Sequence, residues 1–216
     1  TIRKHSKMTG LSRLTSMALT IIKCGGSLLD LSDLVQRLLA LVDRESLQPA
    51  VVVVGGGAAV DLVRNWDQKH CLSAEESHEL AIHAMALNAR MLISLHSRLC
   101  AVTSVDQVAG LPSQAVAVLI PDVAIQQLEI GNAPLPRSWH VTSDSIAAWL
   151  ATIYDARLLL LKSADMPESL ISPRAVDLAA VGLVDPGFPQ LASELTNIEW
   201  CNLRCQRASI RRIEIP

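Results

Sequence analysis

Apolar residues along this chain fall into short unbroken runs ended by glycine or proline, separated by stretches with the three- and four-residue spacing of amphipathic helices. Residues 18–24 are apolar and β-branched, break at Gly25-Gly26-Ser27, and give way to a helical stretch over 31–42. The order then repeats: Ala50–Val54, Gly55-Gly56-Gly57, and a helix over 58–66. Strand-to-helix units in series predict a parallel sheet covered by helices. A long helical region is predicted over 74–99, bent or broken within, because Leu80, Ala84, Leu87 and Met91 recur at helical intervals. Residues 116–120 read as a buried strand stopped by Pro121, and 131–136 as a proline-rich loop. Val141-Thr142-Ser143-Asp144 is a capping sequence before the stripe Ile146, Leu150, Ile153. A further strand covers 158–161, with Lys162-Ser163-Ala164-Asp165 at its carboxyl end. Pro167, Pro173, Pro186, Gly187 and Pro189 then punctuate a loop-rich stretch with one short helix, and 198–203 and 209–215 read as closing strands. The expected fold is α/β, a three-layer αβα sandwich with a mostly parallel central sheet, built by one domain over 17–216. Residues 1–16, ahead of Met17, read as an extension or tag, expected to be disordered and outside the fold.

Half of the 216 residues are hydrophobic, which suffices for a sizeable aliphatic core. The formal charge of -2, spread along the chain, gives no electrostatic footprint for nucleic acid or an anionic membrane, and a small molecule is the expected partner. No apolar run approaches the roughly 20 residues of a bilayer span, and the first sixteen residues lack a secretory pattern. Five cysteines at irregular spacing argue against a disulfide framework and for a reducing, cytoplasmic setting. Cys201 and Cys205 lack the further ligands of a structural zinc site, so no protein metal ligands are expected.

Ligands of open α/β sheets bind beyond the carboxyl ends of strands, where both glycine turns fall. Gly25 and Gly26 at the first turn, and Gly55, Gly56 and Gly57 at the second, let main-chain N–H groups approach phosphate oxygens closely. The bland alternative is simple chain reversal. Lys23 ends an apolar strand just before the first turn, where it either enters the crevice as a counter-charge for phosphate or snorkels to solvent. Neither turn has the Gly-Lys-Ser/Thr of a P-loop or a dinucleotide fingerprint.

Ile22-Lys23-Cys24-Gly25-Gly26-Ser27-Leu28, the glycine triplet after a valine strand, and Val141-Thr142-Ser143-Asp144-Ser145-Ile146-Ala147-Ala148, in that order, resemble an amino-acid kinase domain over about 18–162. That resemblance implies a kinase using ATP with Mg2+. Lys23 would contact the transferring phosphate. Gly25, Gly26, Ser27, Gly55, Gly56, Gly57 and Ser143 would line the nucleotide and acceptor phosphates, and Asp144 would hold the catalytic lysine in place. A structural alternative for Asp144 is favourable interaction with the helix start. Lys162 and Asp165 resemble the Lys-Val-Asp-Gly turn of the uridylate-kinase branch, with Met166 replacing its glycine. Some members carry a second phosphate-binding lysine downstream. No lysine occurs in 182–188, so Lys162 or Arg174 substitutes, or transfer is impaired.

The stretches Val60-Asp61-Leu62-Val63-Arg64 and His78-Glu79-Leu80-Ala81-Ile82-His83-Ala84-Met85 most resemble the small kinases of methanofuran biosynthesis that act on aminomethyl-furan-methyl phosphate. An acceptor of that kind is already ionised, so no general base is needed. Arg64, His78, His140 and Thr142 are the candidate acceptor contacts, with helix-surface or capping roles as the alternative for the histidines. Trp66 and Trp149 line a pocket or interface, or pack in the core. The apolar surface of the long helical region suits a homodimer or higher homo-oligomer. The alternative to a kinase is a catalytically silent nucleotide- or metabolite-binding regulator, or an oxyanion-binding protein, on the same fold.

Overall fold

Strand β1 (Thr20–Cys24) sits at the centre of a seven-stranded sheet, flanked by β2 (Ala50–Val54) on one side and β5 (Arg157–Lys162) on the other. The computed structural model describes residues 19–168, 170 and 173–213. Beyond β2 lie β4 (Val116–Leu119) and β3 (Leu99–Val102); beyond β5 lie β6 (Ile198–Asn202) and β7 (Arg211–Ile213). All neighbours pair parallel except β6 and β7. The chain therefore adds strands to one side of β1, then returns and adds them to the other. The crevice between the carboxyl ends of β1 and β5 is the switch point, where an open parallel sheet leaves room for a ligand.

Every residue of β1 and β2 is buried, as expected of strands covered on both faces. Ile21, Val51, Val53, Leu158 and Leu160 face one core, with Trp149, Leu178 and Phe188 from the helices on that side. Ile22, Cys24, Val52, Val54, Leu159 and Leu161 face the other, covered chiefly by Leu34, Leu38, Leu41 and Val42 of α1 (Leu34–Arg44). These are the three layers of the sandwich. On the first face lie α2 (Gly57–His70), the opening of α3 (Ala74–Ser94), α4 (Pro121–Glu129), α5 (Ser143–Ile153), α6 (Ala175–Ala180) and α7 (Phe188–Leu191). Because alternate residues of β1 face opposite cores, Lys23 shares the face of Ile21 and points toward the layer containing α5.

Several boundaries differ from the expected ones for local reasons. The helix beginning at Gly57 runs past Trp66 to His70, closed by Cys71 in the left-handed region at φ 52. The region read as helix to residue 99 ends at Ser94, and Leu99–Val102 is a strand. Four apolar residues carry no period that separates strand from helix, and pairing with β4 decides the matter. Ser73 and Glu76 form a capping box that starts α3. Pro121 begins α4 as well as ending a strand, since proline suits the first helical position. The loop-rich stretch holds two short helices, α6 and α7, instead of one. Residues 1–16, and 214–215 of the last expected strand, lie outside the described residues.

Candidate active site

Lys23 on β1 pairs in register with Leu160 on β5, so Lys162 stands two residues farther along the same face of the neighbouring strand. That offset is about 6.6 Å at the usual strand rise. One carboxylate spans it. Asp144, in the first turn of α5, places Oδ1 2.9 Å from Lys23 Nζ and Oδ2 2.8 Å from Lys162 Nζ. Lys162 also donates to the Leu183 carbonyl at 2.6 Å, and its ammonium lies 5.4 Å from the centre of the Trp200 ring. Lys23 and Asp144 are each 5% exposed. The Lys23 contact is an ion pair without hydrogen-bond alignment, so Oδ1 keeps unused accepting capacity.

Two lysines and one carboxylate leave one net positive charge inside the protein. Burial, followed by repulsion from Lys23, pushes the Lys162 pKa down to about 8 despite the pull of Asp144. Burial opposes ionisation of Asp144, but the combined fields of Lys23 and Lys162 outweigh it and hold the carboxyl below its ordinary value. Such a cluster favours an added anion, which offsets the surplus charge.

A carboxylate distant in sequence fixes Asp144. Asp185 accepts from Thr142 N at 3.0 Å, Thr142 Oγ1 at 2.7 Å, Ser145 N at 3.1 Å and the Ser145 hydroxyl. The cap of α5 therefore comes from the loop before α7, whereas the local reading assigned it to the 141–144 sequence itself. Thr142 is the N-cap residue by position but makes no side-chain cap bond.

The two glycine turns pack against each other, backbone on backbone. A Cβ on Gly26 would lie 2.1 Å from Gly57 N, and one on Gly55 would lie 2.6 Å from Gly26 N. Gly57 itself has φ +48, a left-handed conformation suited to glycine. Asn88 from α3 fastens this loop by donating to the carbonyls of Gly55 (2.9 Å) and Gly56 (2.7 Å). The amide roles assigned to Gly25 and Gly55 need correction. Their N–H groups extend the strand ladders, donating to Leu161 O at 2.9 Å and Cys24 O at 2.8 Å. The N–H groups of Gly26, Gly56 and Gly57 carry no such bond among the described residues.

A cavity of about 870 Å³ opens from the glycine turns toward α2 and α3. Its wall includes Gly26, Ser27, Gly56, Gly57, Thr142 and Ser143, together with Arg64 and His78. It carries Ser143 but not Asp144, Lys23 or Lys162, so cavity and charged cluster are separate compartments of one crevice. Arg64 pairs with Asp61 at 2.8 Å and lies 4.9 Å over Trp139, whose Nε1 donates to Asp67 at 2.7 Å. His78 is buried, and burial and Arg137 lower its pKa.

Other candidates fall outside this arrangement. His140 is exposed and off the cavity wall, its carbonyl accepting from Gly187 N. Asp165 is exposed, three residues beyond Lys162. Ser27, by contrast, is on the cavity wall and bonds to Ser163 at 2.8 Å. Arg174 pairs with Asp177 at the surface, while Lys162 reaches into the lysine-free loop. Trp149 packs in the core and Trp66 is exposed on α2. Asp185, Asn88 and Arg204, which donates to Ser27 O at 2.8 Å, were not singled out by sequence. An aspartate set between the apolar Val184 and Phe188, just before Pro186-Gly187, was the available signal for the first. No group of three or more His, Cys, Asp or Glu side chains among the described residues could hold a metal ion.

A mostly parallel sheet with paired glycine turns and buried positive charge at its switch point defines the class: an α/β protein with a crevice suited to an anionic ligand. The chain belongs to the amino acid kinase family, which matches residues 18–165. It is 26% identical over 141 residues to the [5-(aminomethyl)furan-3-yl]methyl phosphate kinase of Methanocaldococcus jannaschii, a match covering 65% of this chain and 63% of that relative. The chain thus spans less than two thirds of the relative's length. Uridylate kinase from Archaeoglobus fulgidus superposes with a TM-score of 0.60 at 17% identity, over 93% of this chain and 91% of that one. Aspartate kinase from Synechocystis gives 0.62 at 14% identity, over 92% of this chain and 40% of that one. These two likenesses concern the fold alone.

Proposed function

We propose that the protein transfers the γ-phosphoryl group of ATP to a small anionic acceptor, a phosphate monoester of the kind named for the Methanocaldococcus relative. The observation that carries this reading is the buried Lys23–Asp144–Lys162 cluster, with its net positive charge, at the switch point beside the two glycine turns. The residues fit a triphosphate: two ammonium groups, the open N–H groups of Gly26, Gly56 and Gly57, and the start of α2. Asp144 keeps the ammonium groups together without acting as a base. An acceptor phosphate is ionised at neutral pH. Its oxygen attacks the γ-phosphorus, the bond to the bridging oxygen breaks, and ADP leaves with the electron pair, so no proton need be removed. Magnesium would enter with the nucleotide, neutralising phosphate charge and held by phosphate and water.

The test is ATP consumption with magnesium across phosphorylated amines, [5-(aminomethyl)furan-3-yl]methyl phosphate included, amino acids and nucleoside monophosphates. Turnover with one class, lost in Lys23→Ala while the fold persists, is the expected result; full activity of Lys23→Ala refutes the assignment. The lysine-free loop over 182–188 favours a second reading, a silent binder, marked by ATP binding without turnover on the whole panel.

No helix among the described residues is long and apolar enough to cross a membrane, and a cytoplasmic setting accords with the kinase reading. Leu87, Met91 and Leu95 form an exposed stripe along the end of α3, which we assign to a second copy of the chain. Light scattering on Leu87→Glu against the parent protein tests that assignment.

A further inference from the structure

Ser77 and His78 line the cavity, and Ser77 Oγ and His78 Nε2 are buried without a hydrogen-bonding partner among the described residues. Both belong to the opening turns of α3, and their residues are only 3% and 7% exposed. Buried groups of this kind are rare, because each unpaired donor or acceptor costs about 1–3 kcal/mol. A serine inside a helix can bond back to the carbonyl four residues earlier. Here that carbonyl, on Ser73, takes the Ser77 N–H at 3.0 Å, but the hydroxyl does not join it. The same wall carries the apolar side chains of Val60, Ala81, Ile82, Met85 and Ile146, with Asp61, Arg64 and Asp67 also on it. Burial and the Arg137 charge outweigh Glu129 and hold the His78 pKa below its ordinary value, which favours the neutral ring.

We propose that Ser77 and His78 form a specificity pair that reads one uncharged hydrogen-bonding atom, an ether, hydroxyl or ring oxygen, on the apolar body of a phosphate-terminated small molecule. The phosphate end of that molecule faces the glycine turns. This assignment rests on the acceptor reading of the cavity and adds what the acceptor's body must contain. An ammonium placed against the pair would meet two neutral groups without a countercharge between them and keep much of its desolvation cost. A hydrocarbon would leave both Oγ and Nε2 unpaired in the complex. An uncharged oxygen avoids both penalties, and neutral imidazole and hydroxyl can each donate to it.

The test compares tetrahydrofurfuryl phosphate with its all-carbon counterpart, cyclopentylmethyl phosphate, by calorimetric titration without nucleotide, on the parent protein, Ser77→Ala, His78→Leu and the double variant. Two neutral hydrogen bonds favour the ether by about tenfold in the parent, and the double variant brings the two ligands to about the same affinity. Equal binding in the parent, persistence of the preference in the double variant, or binding of neither phosphate overturns the proposal. Thermal melting of the free variants gives a second readout. If the two groups are reserved for a ligand, removing them leaves the melting temperature equal or higher; if they serve the fold, it falls, and the proposal fails. Since nucleotide is absent from these measurements, failure of ATP turnover refutes the kinase reading and leaves this result standing.

Discussion

Replacing Asp144 with asparagine removes the charge that holds Lys23 and Lys162 together while keeping nearly the same shape. In the parent protein Oδ1 and Oδ2 each face one ammonium at 2.9 and 2.8 Å, all three groups being buried or nearly so. Loss of one partner from a buried ion cluster leaves uncompensated charge and costs about 3–5 kcal/mol. For a chain of this size each kcal/mol lowers the melting temperature by about 2–4 °C, so Asp144→Asn should melt about 6 to 20 °C lower at pH 7. Lys162 offers partial relief. Its pKa is already down to about 8 with Asp144 present, and without that carboxylate it falls further, so Lys162 sheds its proton near neutral pH. Lys162→Met on top of Asp144→Asn should therefore add little, and the two substitutions should be far from additive. Circular-dichroism melts of the parent, both single variants and the double variant at pH 7 measure this. An Asp144→Asn melting temperature within about 2 °C of the parent, or simple additivity in the double variant, refutes the charge-clamp account.

Lys162 also sets a pH dependence. Its folded value of about 8 lies below the usual 10.5, so the unfolded chain binds more protons between those values and stability rises with pH across that window. Below pH 8 the cost of keeping it charged, about 3 kcal/mol at 1.36 per unit, is fully present. Melts from pH 7 to 10.5 should show this rise in the parent and not in Lys162→Met, and tripolyphosphate affinity should fall as pH passes 8. Asp185→Ala removes the acceptor for both N–H groups and both hydroxyls at the start of α5, with a loss of about 2 kcal/mol or more in urea unfolding and weakened tripolyphosphate binding. An unchanged unfolding midpoint would show that α5 is capped in some other way.

The central strands, both glycine turns and the start of α5 were legible because each is a local signal: an apolar run too short for a helix, a break that glycine permits, and an acid at a helix start. Lys23 was marked by standing at the end of a buried strand. The short strand at Leu99–Val102 was not legible, because its state depends on a partner strand supplied later in the chain. The sequence identified the glycines as sites of close approach; the tertiary packing shows that much of this approach is turn against turn, with the Gly25 and Gly55 amides already used by the sheet.

What the sequence alone determined is thus the sheet, its two glycine turns and the residues able to carry charge at strand ends. What only the tertiary structure decided is how they combine. Strand order puts β5 beside β1 although more than a hundred residues separate them, and so makes Lys162 and Lys23 share one carboxylate. A loop beyond β5 supplies Asp185 to cap α5, and α3 brings Asn88 to the glycine turns and Ser77 and His78 to the cavity. These are contacts between residues far apart in the chain. No local periodicity encodes them, because burial and pairing energies act on distance in space and not on separation in sequence.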